Sequence, residues 1–326
     1  MKRALVWMRR DLRLADNPAL RAALDRELHP VPVYIHDSGL QTEGAAGHWW
    51  LHHSLHALRQ ELRRLGSDLL IIAGDSRTQL QAVAHACNAS HVFWNRQYDP
   101  AGVALETGVM TDLADAGLSA ESFPGNLLRE PETLAKRDGT PYRVFTPFYR
   151  ELLTSTPVAL PLPAPDALPP LPDELPVSLT PDALGLLPAI RWDAAFGQHW
   201  QPGESGAWQR LEIFVRDSMA GYPDNRDRPD LPDTSRLSPH LHFGEISPRQ
   251  IRQFIEDCLQ QRDEAGLAAA AESWQRQLGW REFGHHLLWH FPDTAEHPLD
   301  RRFDNFPWHE DPAALHPWQT GQTGIP

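Results

Sequence analysis

The sequence predicts an α/β amino-terminal domain built on a parallel sheet, then a long proline-rich linker, then a helical region. Three observations carry this reading. Short apolar runs alternate with helical patterns over residues 1–130, prolines crowd residues 131–195, and residues 196–326 keep a helical periodicity.

Ala4 to Met8 reads as a buried strand. Asp16-Asn17-Pro18-Ala19-Leu20 then offers polar caps, a proline in the first turn and an apolar stripe, which start a helix. Val31 to Ile35 is a second strand, followed by a long helix from Trp49 to Leu65 closed by Gly66. Leu69 to Ala73 is a third strand, Thr78 to Cys87 a helix, and Val92 to Trp94 a fourth strand. From Pro157 to Pro188 the prolines deny ladder bonds and disrupt helix interiors, while leucines between them predict packing along a surface. Glu204 to Asp217 carries Trp208, Leu211, Phe214 and Val215 on one helical face. Ser247-Pro248 opens another helix, and Ala268 to Trp289 is a helical stretch interrupted by Gly279 and Gly284.

The 41% apolar content can supply a core, whereas the mean hydropathy of -0.46 and the absence of a long apolar run argue against a membrane span. The short apolar segment after Met1-Lys2-Arg3 does not suit a secretion signal, so a cytoplasmic protein is expected. Cys87 and Cys258, the only cysteines and far apart in sequence, do not suggest a disulfide scaffold or a four-ligand zinc site. A net charge of -13 excludes a surface basic throughout but leaves room for a local nucleic-acid face.

Two stretches carry candidate chemistry. Thr234 to Gly244 sets Thr234, Ser235, Arg236 and Ser238 beside Pro239, so hydroxyls and helix-start N–H groups could hold phosphate; the competing reading is an ordinary capped helix. In Trp274 to His286, the residues Trp274, Gln277 and Arg281 share a helix face suited to a planar, anionic ligand; the competing reading is a buried aromatic with a salt bridge from Arg281 to a neighbouring glutamate. Adjacent His285 and His286 do not converge, and His286 with His290 lacks a third ligand, so no metal is expected. The first strand is not followed by a dinucleotide fingerprint, and neither a Walker sequence nor a nucleophile elbow is present.

Together, Trp7 to Leu14 with Asp16-Asn17, Val92 to Asn95 with Tyr98, Pro141 to Phe148, Thr234 to Ser247, Trp280 to Phe283 and Trp318 to Pro326 resemble the DNA photolyase and cryptochrome family. The likeness is greatest to bacterial enzymes acting on cyclobutane pyrimidine dimers. It implies a Rossmann-like antenna domain, a linker and an all-helical FAD-binding domain. It implies that Tyr222, Thr234, Ser235, Leu237, Ser238, Trp274 and Arg281 contact FAD, and that Trp274, Gln277 and Trp280 wall the cavity for a flipped dimer. Trp308 matches the surface end of the family's electron relay; otherwise it caps the helical core. The implied activity is light-driven repair of ultraviolet-damaged DNA by electron transfer from reduced FAD, with no membrane or metal involved.

Two departures bear on this. Gln277 stands where many dimer-repairing members carry glutamate, which leaves a cryptochrome-like signalling flavoprotein as the alternative. Ala101-Gly102 stands where the best-known folate binders carry Asn-Glu, so a differently bound folate, a deazaflavin or no antenna chromophore remain open. The resemblance also implies helices beyond Pro326, so that residues 196–326 hold only the first part of the flavin domain and are inactive alone.

Overall fold

The computed structural model describes residues 2–37, 39, 43–155, 157–262, 266–307 and 309–325. The α/β part runs β1 (Arg3–Trp7), α1 (Pro18–Asp25), β2 (His29–His36), α2 (Ala45–Arg64), β3 (Leu70–Ala73), α3 (Ser76–Ala86), β4 (Ala89–Asn95), α4 (Pro100–Asp115) and β5 (Ser119–Phe123). All strand pairs are parallel and the order is β3-β2-β1-β4-β5. Leu5 pairs with Val31 on one side and Val92 on the other, which puts β1 at the centre. Alternate residues of β1 feed opposite cores. Ala4 and Val6, with Met8 just past the strand, join Leu20, Leu55, Leu58 and Leu62 of α1 and α2, whereas Leu5 and Trp7 join Leu80, Val83, Val109 and Leu113 of α3 and α4. A parallel sheet covered on both faces follows directly. Chain order reverses at β1, so the loops after β1 and β4 splay apart at their carboxyl ends and leave a crevice.

The proline-rich segment is a strap laid on this domain. Its amides bond to backbone, from Leu168 to the Leu65 carbonyl at 2.8 Å and from Leu179 to the Ile71 carbonyl at 2.8 Å. Leu168 and Leu186 are buried in the core under α1 and α2, while Leu171 and Leu175 pack on the other face. Residues 131–195, read from sequence as linker alone, also contain α5 (Phe145–Thr154). Phe145, Phe148, Tyr149 and Leu152 recur at helical spacing and bury one face of α5 against Phe283.

The helical part contains α6 (Glu204–Ile213), which continues as a π turn, then α7 (Tyr222–Asn225), α8 (Ser238–His242), α9 (Pro248–Gln261), α10 (Leu267–His290) and α11 (Pro312–Thr320). Ser247 and Gln250 close a capping box on α9, with Pro248 in its first turn. The expected break in α10 is absent: it runs unbroken through Gly279 and Gly284. Gly279 marks a crossing instead, since a Cβ there would lie 2.5 Å from the Tyr149 ring of α5. Gly279→Val is expected to cost about 1–3 kcal/mol by overpacking, whereas Gly284→Ala, with open space around it, should stabilise by up to about 1 kcal/mol. Urea midpoints check this; equal effects at the two glycines would disprove the crossing argument.

The helical part docks through buried charge. Arg13 is fully buried and donates to the carbonyls of Gly244 at 2.9 Å, Asp16 at 2.8 Å and Gly125 at 2.5 Å. Asp16 accepts from Arg249 at 2.9 Å and from the Ser247 hydroxyl. Glu245 is completely buried and accepts from Trp50 Nε1 at 3.1 Å, Gly203 N at 2.6 Å and the Ser54 hydroxyl, with His240 Nδ1 at 2.5 Å. Every one of these groups is costly to bury unless paired. The pairings therefore fix the register between sheet and helices, and with it the cavity between them.

Candidate functional site

A cavity of about 590 Å³ opens where the crevice beyond β1 and β4 meets α7, α8 and α10. Such a volume suits a small-molecule ligand. Its helical wall contains Tyr222, Thr234, Ser235, Leu237, Ser238, Trp274, Gln277 and Arg281. Thus the residues predicted from sequence to contact a cofactor converge on one space, and Gln277 faces it too. Arg10, Gln97, Tyr98, Asp99 and Asn126 enter from the α/β side. Sequence reasoning missed these as site residues. Arg10 and Tyr98 lie in motifs quoted above, but Gln97 and Asn126 carry no signal of their own.

The Trp280 to Phe283 run shows how α10 distributes its residues. At about 100° per residue, four successive side chains face four directions. Trp280 leaves the cavity and stacks on Phe145, with ring centroids 3.6 Å apart and planes 6° from parallel. It is 48% exposed and is not part of the cavity wall. This departs from the expected grouping with Trp274 and Gln277, because a helix turns Trp280 away from Trp274. Arg281 faces the cavity and donates to the Asn126 carbonyl at 2.8 Å. Glu282, 2% exposed, accepts from the backbone N–H groups of Leu128 at 2.9 Å and Arg129 at 3.3 Å. Phe283 enters the α5 core. Glu282 thereby ties the loop carrying Asn126 to the helix carrying Arg281.

Burial lowers the pKa of the Arg281 guanidinium, partly opposed by Glu282, yet arginine stays cationic. Burial pushes the Glu282 carboxyl up to about 7, with Arg281 pulling it back down. Hydroxyls of Thr234 and Ser238 have no hydrogen-bond partner among the described residues, while the Ser235 hydroxyl accepts only the Leu237 N–H, at 3.4 Å. Nδ1 of His285, another wall residue, is buried without a partner among the described residues. Trp274 is buried and packs on Phe214, with ring centroids 5.4 Å apart. The guanidinium groups of Arg10, Arg236 and Arg281, hydroxyls without a partner among the described residues, an amide and aromatic surface in one cavity fit a planar ligand bearing phosphate. Trp308 lies outside the described residues.

His285 and His286 diverge, as adjacent helical residues must. His286 points into the core, where its Nε2 accepts the Tyr142 N–H at 3.1 Å. Burial lowers its pKa from 6.5 to about 4, and that of His285 to about 3. A histidine buried neutral stabilises the fold fully above 6.5 and loses that contribution as pH falls through the folded value. Glu282 works oppositely: its raised pKa favours the fold below 4.5 and is lost as pH rises to about 7. Two histidines outweigh one carboxyl between 4.5 and 6.5, so stability should fall as pH falls there. His286→Gln, which retains an acceptor, should abolish nearly all of the slope that these three groups contribute, since one histidine then balances one carboxyl; urea midpoints across this range measure it, and an unchanged slope would remove the role given to His286.

Comparison with known proteins agrees with this geometry. Residues 4–167 match the family model DNA photolyase, and residues 274–326 match the FAD binding domain of DNA photolyase. A deoxyribodipyrimidine photo-lyase of Agrobacterium fabrum is 39% identical over 99% of this chain and 66% of its own length. Cryptochrome-2 of Arabidopsis thaliana is 32% identical over 100% of this chain and 55% of its own. The crystal structure of a bacterial class III photolyase from Agrobacterium tumefaciens superposes with a TM-score of 0.90 at 38% identity, over 98% of this chain and 66% of that one. The chain thus spans about two thirds of these photolyase relatives. No helix among the described residues is long and apolar enough to cross a membrane. With half of its residues matched by one family model and relatives of up to 39% identity along nearly its whole length, the chain belongs to the DNA photolyase and cryptochrome family.

Proposed function

We propose that this chain serves the light-driven repair of cyclobutane pyrimidine dimers in ultraviolet-damaged DNA, with FAD in the cavity. The observation that carries the reading is the single cavity wall shared by Tyr222, Thr234, Ser235, Ser238, Trp274, Gln277 and Arg281. FAD fits this donor set: the hydroxyls of Thr234 and Ser238 lack partners among the described residues, and Arg281 offers a cation to a pyrophosphate. When bound, FAD supplies a light-absorbing one-electron donor; the chain supplies position and a water-poor wall. Gln277 presents an amide that can hold a pyrimidine carbonyl or N–H. Trp280 lies three residues further along α10, and its stack on Phe145 offers a half-exposed aromatic platform for an unstacked base.

A second cavity of about 130 Å³ lies at the carboxyl edge of the sheet, where Trp7, Arg9, Tyr34, Ala101 and Gly102 contribute wall. Its place at the sheet edge is where we put an antenna chromophore, a folate or a deazaflavin, although a cavity of this volume has to widen to admit either. Gly102, on α4, is packed against Gln97, where an added Cβ would lie 2.8 Å from the Gln97 Cβ.

Gln277 favours the second reading, a cryptochrome-like light-signalling flavoprotein without repair. The test is illumination of the chain, loaded with reduced FAD, in the presence of an oligonucleotide carrying one thymine dimer. Repair restores thymine absorbance in the light and not in the dark. Flavin binding without any light-dependent restoration, both by this chain and by the chain joined to the remaining third that its photolyase relatives carry, would overturn repair and favour signalling.

A further inference from the structure

Helix α2 and the strap hold a cluster that the flavin site does not use. His52 and His56 are one helical turn apart on α2, and Asp182 stands over them in the 3-10 turn Pro181–Leu184. Asp182 Oδ1 lies 3.6 Å from His52 Nε2 and 3.5 Å from His56 Nε2. One donor atom from each of the three residues lies within 4.8 Å of the others. A histidine–carboxylate hydrogen bond would have closed to about 2.7–2.9 Å. These separations instead approach the edge of a tetrahedron, about 3.3 Å for ligands about 2.0–2.1 Å from a central ion.

The surroundings suit a cation. The two nearest arginines on α2 are engaged elsewhere: Arg59 binds Asp68 at 2.8 Å and Arg63 binds it at 2.9 Å. The strap beside Asp182 is anchored, since Ser178 Oγ accepts the Ile71 N–H at 2.9 Å and Leu179 N–H reaches the Ile71 carbonyl. His52 is buried, whereas side chains of His56 and Asp182 are 44% and 69% exposed. An ion would thus meet one fixed ligand and two that can close on it, with a coordination position left for water. Two imidazoles and one carboxylate select a borderline divalent ion over magnesium or calcium.

We propose that His52, His56 and Asp182 form a binding site for a zinc-like divalent transition-metal ion, which pins the strap to helix α2. Sequence reading missed it because the third ligand comes from the proline-rich segment. The site shares no residue with the flavin cavity, so its fate is independent of the proposed repair function.

The experiment is Co²⁺ titration of the untagged chain followed by absorption spectroscopy, then displacement by Zn²⁺ in a calorimeter. One equivalent of Co²⁺ should give the intense visible bands of a four-coordinate ion, and Zn²⁺ should erase them. His56→Ala and Asp182→Asn, both at exposed side chains, should each weaken Zn²⁺ binding more than about tenfold. The melting temperature without metal should stay within the experimental error of the parent chain. His290→Ala, in the other histidine pair, should leave binding unchanged. Absence of stoichiometric uptake, or uptake that survives both ligand replacements, would overturn the proposal.

Discussion

Replacing Arg281 by alanine is expected to weaken FAD retention roughly 10- to 100-fold, the equivalent of one charge-assisted hydrogen-bond partner at about 1.5–3 kcal/mol. Arg281 is the cation that α10 brings into the cavity beside the hydroxyls of Thr234 and Ser238, which have no partner among the described residues. Its bond to the Asn126 carbonyl and its approach to Glu282, at 3.6 Å, hold the guanidinium in place before any ligand arrives. Such preorganisation lowers the ordering cost of binding. Arg281→Lys keeps charge but loses the planar fork, so it should fall between parent and alanine. Flavin-to-protein ratios after dialysis measure the effect, and melting curves recorded without FAD separate it from a loss of fold. Unchanged flavin occupancy in Arg281→Ala would remove this residue from the cofactor site.

Gly244→Ala is expected to cost more than about 4 kcal/mol of stability, a range reached by few single changes. Gly244 adopts φ +67°, and an added Cβ would fall on the backbone carbonyl of Arg10. Relief requires moving either strand-end loop or helix, and both are fastened. Leu12 N–H bonds to the Phe243 carbonyl at 3.1 Å, Arg13 bonds to Gly244 itself, and Glu245 next in line holds Trp50, Ser54 and Gly203. Gly117 provides the control, with φ +73° and open space around its missing side chain. Gly117→Ala should cost only the conformational part, about 1–2 kcal/mol. Thermal and urea unfolding of the two variants give the comparison. Equal losses would mean that the contact with Arg10 contributes nothing.

The order of strands and helices was legible wherever burial was complete. Strands β1, β2 and β4 are apolar runs because helices cover both faces of the sheet. Strand β5, Ser119 to Phe123, left no such trace: it is an edge strand, and its Glu121 pairs with Arg26 in solvent. Helix α4 also escaped, although Asp99 and Pro100 form a capped start. Its apolar residues are not gathered on one face, so periodicity gave little warning. In α5 the stripe Phe145, Phe148, Tyr149 and Leu152 was readable, but prolines on both sides drew the whole segment into the linker. Gly279 misled because a glycine required by the Tyr149 ring looks, in sequence, like a glycine that ends a helix.

The candidate site divided in the same way. Its helical wall lay in two stretches whose hydroxyls, aromatics and arginine stand close in sequence, so Thr234 to Ser238 and Trp274 to Arg281 could be found together. Its other wall depends on docking. Gln97 and Asn126 become site residues only because Arg13, Asp16 and Glu245 bring the crevice of the sheet against α8 and α10. Trp280 shows the converse: proximity in sequence to Gln277 and Arg281 did not carry it into the cavity, since Phe145 offered a better partner outside.

Equilibrium dialysis of the purified chain against FAD, read from the visible flavin spectrum, tests the central claim most directly. The account predicts saturable uptake approaching about one FAD per chain, weakened at least about tenfold by Arg281→Ala and unaffected by Gly117→Ala. Failure to take up FAD, or uptake equally strong after replacement of Arg281, would contradict the assignment of this cavity to the flavin.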